Sequence, residues 1–178
     1  MLTDPTPEFF DLGHDLFKTT PASYPISFLA GDVFKPEILQ IFPPFDGPPT
    51  AERPDLTTLT SLNPLAGHCA AIYAGYFFHM FSEENQLQLA RALAGLLSPL
   101  PGSVICGIHG SNPQKGVFRT EHAGRAADVF CHSPESWAAM WDGEVFAKGK
   151  VRVDATVERR EEEGFAFWQL KWSVVRLY

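Results

Sequence analysis

Apolar positions along this chain follow two rhythms. Near the start, Phe9, Leu12, Leu16 and Phe17 recur at helical spacing and predict a helix with one buried face. Asp4-Pro5-Thr6-Pro7-Glu8 leads into it. Asp4 or Thr6 suits the cap, a proline is tolerated in the first turn, and Glu8 complements the positive helix end. Three short apolar runs then read as buried strands: 26–30, ending at Gly31-Asp32, 69–74 and 103–108. Between them, Leu56 to Leu65 suits a short helix broken at Asn63-Pro64. Ser82-Glu83-Glu84 opens a longer helix with Leu89, Leu93, Leu96 and Leu97 on one face. Ser133-Pro134-Glu135 opens another, carrying Trp137, Met140 and Trp141.

The rhythm changes near the end of the chain. Val151, Val153, Ala155 and Val157 alternate with Arg152, Asp154, Thr156 and Glu158, the mark of a half-exposed strand. After a charged turn over 159–164, residues 165–178 form a second strand. Ala166, Trp168, Leu170, Trp172 and Val174 share one of its faces. Two strands this close in sequence suit an antiparallel pair. Residues 43–54, rich in proline, read as a surface loop, and so does the polar, glycine-containing stretch 110–129. Strands alternating with helices predict a single α/β domain over 1–178. Its sheet is expected to be mostly parallel, to end in an antiparallel pair, and to carry helices on both faces.

Composition narrows the partners. A chain of 178 residues with 45% apolar and 20% charged residues is large enough to bury a core. Its net charge of −7 disfavours nucleic acid and anionic membranes as partners. No apolar run reaches the length of a membrane span, and no signal peptide is evident, so a cytoplasmic location is expected. Cys69, Cys106 and Cys131 have no CxxC spacing and read as reduced, buried thiols. No histidine spacing supports a metal site.

Four segments carry a resemblance: DPTPEFFDLGHDLF at 4–17, FLAGDVF at 28–34, the block at 70–107 beginning AAIYAGYFFHMF, and FCHSPESWAAMW at 130–141. Together with the ending LKWSVVRLY, they resemble class I S-adenosylmethionine-dependent methyltransferases, in particular fungal methyltransferases of secondary-metabolite (meroterpenoid-type) pathways. The resemblance implies a Rossmann-like fold, S-adenosylmethionine as cofactor, and a small hydrophobic acceptor. The strand and glycine-rich turn that hold the methionine and ribose in that family have no counterpart here, so the resemblance implies a truncated fold with impaired cofactor binding. By position, Asp4 corresponds to the family's ribose-binding acid, Asp32 and Val33 to its adenine turn, and Gly75 to the strand exit beside the cofactor. In that layout the missing strand lies between the second strand and the one here at 69–74. The expectation is that strand 26–30 moves in to pair with 69–74, giving five strands, or that a second copy pairs at the exposed edge.

The residues also suggest roles of their own. His79 and His109 follow adjacent strand exits, where open α/β sheets bind ligands, and suit acid–base chemistry; packing among aromatics is the competing role. Tyr76 and Phe77 suit a hydrophobic substrate. Asp4 also suits a helix cap, and Gly31-Asp32 a plain turn. Three functions follow: a methyltransferase, a cofactor-independent isomerase or cyclase on the same scaffold, or a non-catalytic remnant or accessory subunit.

Overall fold

The computed structural model describes residues 2–122, 125–162 and 165–178. In chain order they form β1 (Leu2–Asp4), α1 (Glu8–Phe17), β2 (Phe28–Ala30), β3 (Ala71–Gly75), α2 (Glu83–Leu96), β4 (Val104–Ser111), β5 (Gly116–His122), β6 (Arg125–Cys131), α3 (Pro134–Trp141), β7 (Val151–Glu162) and β8 (Phe165–Arg176). The expected α/β order is present. Helices α2 and α3 start where the sequence places them. The Ser82 side chain accepts from the Asn85 N–H, and Ser133 forms a reciprocal capping box with Ser136.

The main sheet has the order β3-β4-β8-β7. β3 and β4 are parallel, whereas β4–β8 and β8–β7 are antiparallel. The closing antiparallel pair is therefore as expected, but a mostly parallel sheet is not: one of its three pairings is parallel. The face carrying Ile105, Gly107 and His109 of β4 and Leu170, Trp172 and Val174 of β8 is buried. The buried residues of α2 and α3 join the same core cluster as this face. Arg152, Asp154, Glu158 and Lys171 on the opposite face are paired with one another in exposed ion pairs. Over β7 and β8 that face therefore carries exposed charges, while α3 packs on β7.

Five further expectations change. β2 does not join β3; it pairs in parallel with β1, and the Gly31 N–H donates to the Asp4 carbonyl. An open strand edge is costly where its polar groups are buried away from water. Here Ala71 is exposed and Tyr73 is 70% exposed, so water can serve that edge. The apolar stripe of α1 is not buried either: Phe9, Leu12, Leu16 and Phe17 are all more than half exposed. The helix is held instead by Phe10, stacked on Phe28 at 4.7 Å. Residues 56–65 contain only a 3-10 turn at Asn63–Leu65. The segment read as a loop holds the β5–β6 hairpin, whose Val117-Phe118 and Val129-Phe130 supply strand-forming side chains. Residues 123–124 within that reading lie outside the described residues. β7 continues through most of the expected charged turn, of which 163–164 also lie outside them.

No helix among the described residues is long and apolar enough to cross a membrane. The three cysteines are free, and burial raises the Cys131 thiol to about 11, which keeps it unreactive.

The contrast between α1 and α2 gives a stability prediction. Leu89 is 1% exposed, so Leu89→Ala is expected to cost about 2–5 kcal/mol in urea unfolding. Leu12→Ala is expected to change stability by less than about 0.5 kcal/mol. A loss at Leu12 similar to that at Leu89 would mean that the α1 stripe is covered in solution.

Candidate functional site

The chain leaves β3 through a strained turn. Tyr76 adopts φ 51°, a left-handed conformation that favours glycine and costs a non-glycine residue on the order of 1–3 kcal/mol. Two hydrogen bonds hold it there. Its N–H donates to the Ile108 carbonyl at 2.6 Å, and its phenol oxygen accepts from Gln169 Nε2 at 2.9 Å. A 3-10 turn at Phe78–Met80 follows. It drives Phe78 fully into the core and turns His79 outward.

His79 lines a cavity of about 630 Å³ beneath the β5–β6 hairpin. Met80, Phe81, Val117, Val129 and Phe130 supply its apolar walls, and Glu83 and Asp128 its acidic groups. Glu83 pairs with Lys115 at 2.5 Å in an exposed ion pair. Burial holds the His79 imidazole below its ordinary value, so it is neutral at pH 7. Its Nδ1 is buried without a hydrogen-bond partner among the described residues. The accessible nitrogen is therefore Nε2.

His109 occupies a different environment. It is 2% exposed, and its Nδ1 accepts from Trp172 Nε1 at 3.0 Å. Burial, helped by the charges that His79 and His132 would carry, lowers it to about 3. Its ring stacks on that of His79, with centroids 6.3 Å apart and planes 14° from parallel. His79 and His109 thus meet, but His79 alone of the two lines the cavity. His132 stands beside them, lowered to about 4 by burial first and by Lys115 second, with Glu83 opposing. Its Nδ1 shares a 2.9 Å hydrogen bond with Ser136 Oγ. Among the described residues no group of three metal-ligating side chains gathers.

The residues expected for substrate divide. Tyr76 contacts His79 edge to face at 6.5 Å, whereas Phe77 packs against Phe81 at 5.1 Å and joins the core margin. Asp4 ends β1, and Asp32 follows its parallel partner β2. Each closes its own turn: Asp4 Oδ1 accepts from the Thr6 N–H, and Asp32 Oδ1 from the Phe34 N–H. Asp4 is therefore not the helix cap, a position taken by Pro7 without a side-chain bond. Asp4 also lines a second cavity, about 580 Å³, with Phe10, His14, Phe17, Tyr24 and Phe28. Val33 packs on the core margin. The Gly75 backbone lies under the Tyr73 ring, where a Cβ would come within 2.6 Å of it. Phe34 meets Phe81 at 4.8 Å, which brings the exits of β2 and β3 to the same end of the molecule.

Sequence reasoning missed the walls from the hairpin and the two partners on β8, Gln169 and Trp172. Paired Val-Phe steps at 117–118 and 129–130 signalled the former. Nothing local signalled the latter, because each bond spans more than 60 residues.

The chain is similar to fungal methyltransferases. It is 25% identical over 157 residues to the O-methyltransferase phiE of Fungal sp. (strain ATCC 74256), a match covering 88% of this chain and 44% of that protein. Against the methyltransferase adrK of Penicillium roqueforti it is 26% identical over 158 residues, covering 85% and 46%. The methyltransferase ausD of Penicillium brasilianum is 27% identical over 99 residues, covering 55% and 33%. The chain thus spans less than half the length of these relatives. No protein-family model matches it. A solved DhpI–SAH complex aligns over 98% of this chain and 64% of its own, with 11% identity and a TM-score of 0.49.

The buried imidazoles predict how stability follows pH. A histidine whose folded value is depressed costs nothing above about 6.5, where both states are neutral. Below that, the unfolded chain takes the proton first, so stability falls. For His109 the expected slope is up to about 1.4 kcal/mol per pH unit between about 6.5 and its folded value. His132 adds in the same direction. Denaturant unfolding at pH 7.5 and 5.5 should show a clear loss at the lower pH, and equal stabilities would contradict the burial of these rings.

Proposed function

We propose that this chain carries the acceptor-binding part of an S-adenosylmethionine-dependent methyltransferase, with His79 as the base that takes the proton from a hydroxyl or carboxyl group of a small hydrophobic molecule. The observation that carries this reading is a desolvated, neutral imidazole lining an apolar cavity at a strand exit. Similarity to proteins named methyltransferases, one of them an O-methyltransferase, supports methyl transfer to oxygen.

The carboxylates suit the cofactor's adenosine end. Asp4 and Asp32 each spend one oxygen on their own turn, which leaves the other to accept from a hydroxyl or an amine. Val33 and Gly75 flank the same end of the strands. When bound, S-adenosylmethionine would supply an electrophilic methyl group. The chain's own share is to seat the acceptor between Met80, Val117 and Phe130, to exclude water there, and to receive the acceptor's proton at His79 Nε2. His109 is not a base in this scheme, because its Nδ1 is occupied and its ring is buried.

Calorimetric titration with S-adenosylmethionine tests the cofactor, with micromolar binding expected. No heat and no thermal shift at millimolar cofactor would end the methyltransferase reading for this chain and favour a cofactor-independent isomerase or cyclase using the same imidazole. Given methyl transfer to a hydroxylated acceptor, His79→Gln should lower kcat by about 10²–10⁴-fold while leaving cofactor affinity unchanged. Unchanged turnover would remove His79 from the mechanism.

Among the described residues no strand pairs with the outer edge of β3, which supports pairing with a second copy. Unlike β7, which sets Arg152, Asp154 and Glu158 along its length, β3 presents Ala71, Tyr73 and Gly75 without a charge. A dimer that Tyr73→Pro converts to monomer is expected by light scattering. A wild-type monomer at high micromolar concentration would discard the interface.

A further inference from the structure

We propose that Trp172 is a positioning residue of the His79 cavity: its indole N–H fixes the tautomer of His109, and the fixed His109 ring sets the orientation of the His79 ring stacked on it. The proposal rests on the reading of His79 as the proton acceptor.

A neutral imidazole that accepts at Nδ1 must carry its proton at Nε2. Trp172 Nε1 is a donor only, so its 3.0 Å bond to His109 Nδ1 permits one tautomer. Both partners are nearly inaccessible, 5% and 2% exposed, so solvent does not compete for the bond. The indole reaches this place because its cross-strand partner is Gly107. A Cβ at Gly107 would stand 2.7 Å from Trp172 Cζ2 and would also collide with the Ala74 carbonyl. Gly107 therefore serves close approach, although its neighbours in β4 alternate like those of any buried strand.

His79 lacks the hydrogen bond that ordinarily orients a working histidine, since its Nδ1 has no partner among the described residues. What touches the ring is packing. His109 lies almost parallel to it at 6.3 Å, Tyr76 meets it edge on at 6.5 Å, and Gly110 presents no side chain. Titratable groups around the ring are Tyr76, His109, His132, Glu83 with its partner Lys115, and Asp128. Of these, His109 alone is stacked on the ring. Switching the His109 tautomer would reverse the dipole beneath His79 and alter its preferred orientation.

Nitrogen-15 spectra of histidine-labelled wild-type protein between pH 6 and 8 test the first step. A single pattern with Nε2 protonated is expected for His109. An Nδ1-protonated or averaged pattern would overturn the proposal, and this measurement needs no substitution. Trp172→Phe tests the second step, because it keeps an aromatic ring and removes only the N–H and part of the indole. The two His109 nitrogens should move toward averaged values and the His79 ring protons should shift with them. A folded W172F protein whose His79 signals stay in place would overturn the link between the two rings. Failure of the base reading is separable: full turnover in His79→Gln would remove the base and leave the His109 tautomer as measured.

Discussion

Everything around the cavity depends on burying one ring, Phe78. It is completely inaccessible, and it packs against Trp137 at 4.9 Å, Trp172 at 5.6 Å, His109 at 5.9 Å and Trp141 at 6.2 Å. Those four side chains come from α3, β4 and β8, so one aromatic contact set ties the exit of β3 to the rest of the sheet. A buried aromatic of this kind contributes several kcal/mol through area and ring geometry together. That gain offsets the left-handed backbone at Tyr76, which points the next residues the right way. With Phe78 seated, His79 has only one direction left, toward the hairpin.

The same constraint divides the two histidines by chemistry. A ring drawn into the cluster loses water, and its charged form becomes costly; His109 takes that position, and its acceptor nitrogen is answered by an indole. A ring one turn away keeps a wet nitrogen and a dry neighbour, which is the environment of a base near neutral pH. The strand exit itself would not distinguish them. The distinction comes from what each ring meets, the Trp172 indole N–H for His109 and the open cavity for His79.

Local signals were legible wherever one segment decides its own structure. The Ser82 and Ser133 caps, the apolar faces of α2 and α3, and the closing β7–β8 pair follow from residues within a few positions of each other. Signals failed where the outcome depends on distant partners. The α1 stripe of Phe9, Leu12, Leu16 and Phe17 has helical spacing, yet periodicity does not reveal that nothing among the described residues covers it. The fate of β2 depended on Leu2–Asp4, three residues too few to read as a strand. The hairpin over the cavity was hidden by glycines and charges that disguise exposed strands. For the site, His79 was visible as a strand-exit histidine, while Gln169 and Trp172 became visible only when β8 lay beside β4.

The central claim is that His79 offers an unprotonated nitrogen to the cavity at neutral pH. Its proton uptake, followed by the ring carbon and proton shifts of His79 in the wild-type protein from pH 4 to 8, tests this directly. The account predicts a midpoint below the ordinary histidine value of about 6.5, with the ring neutral at pH 7. A midpoint at or above that value would contradict it.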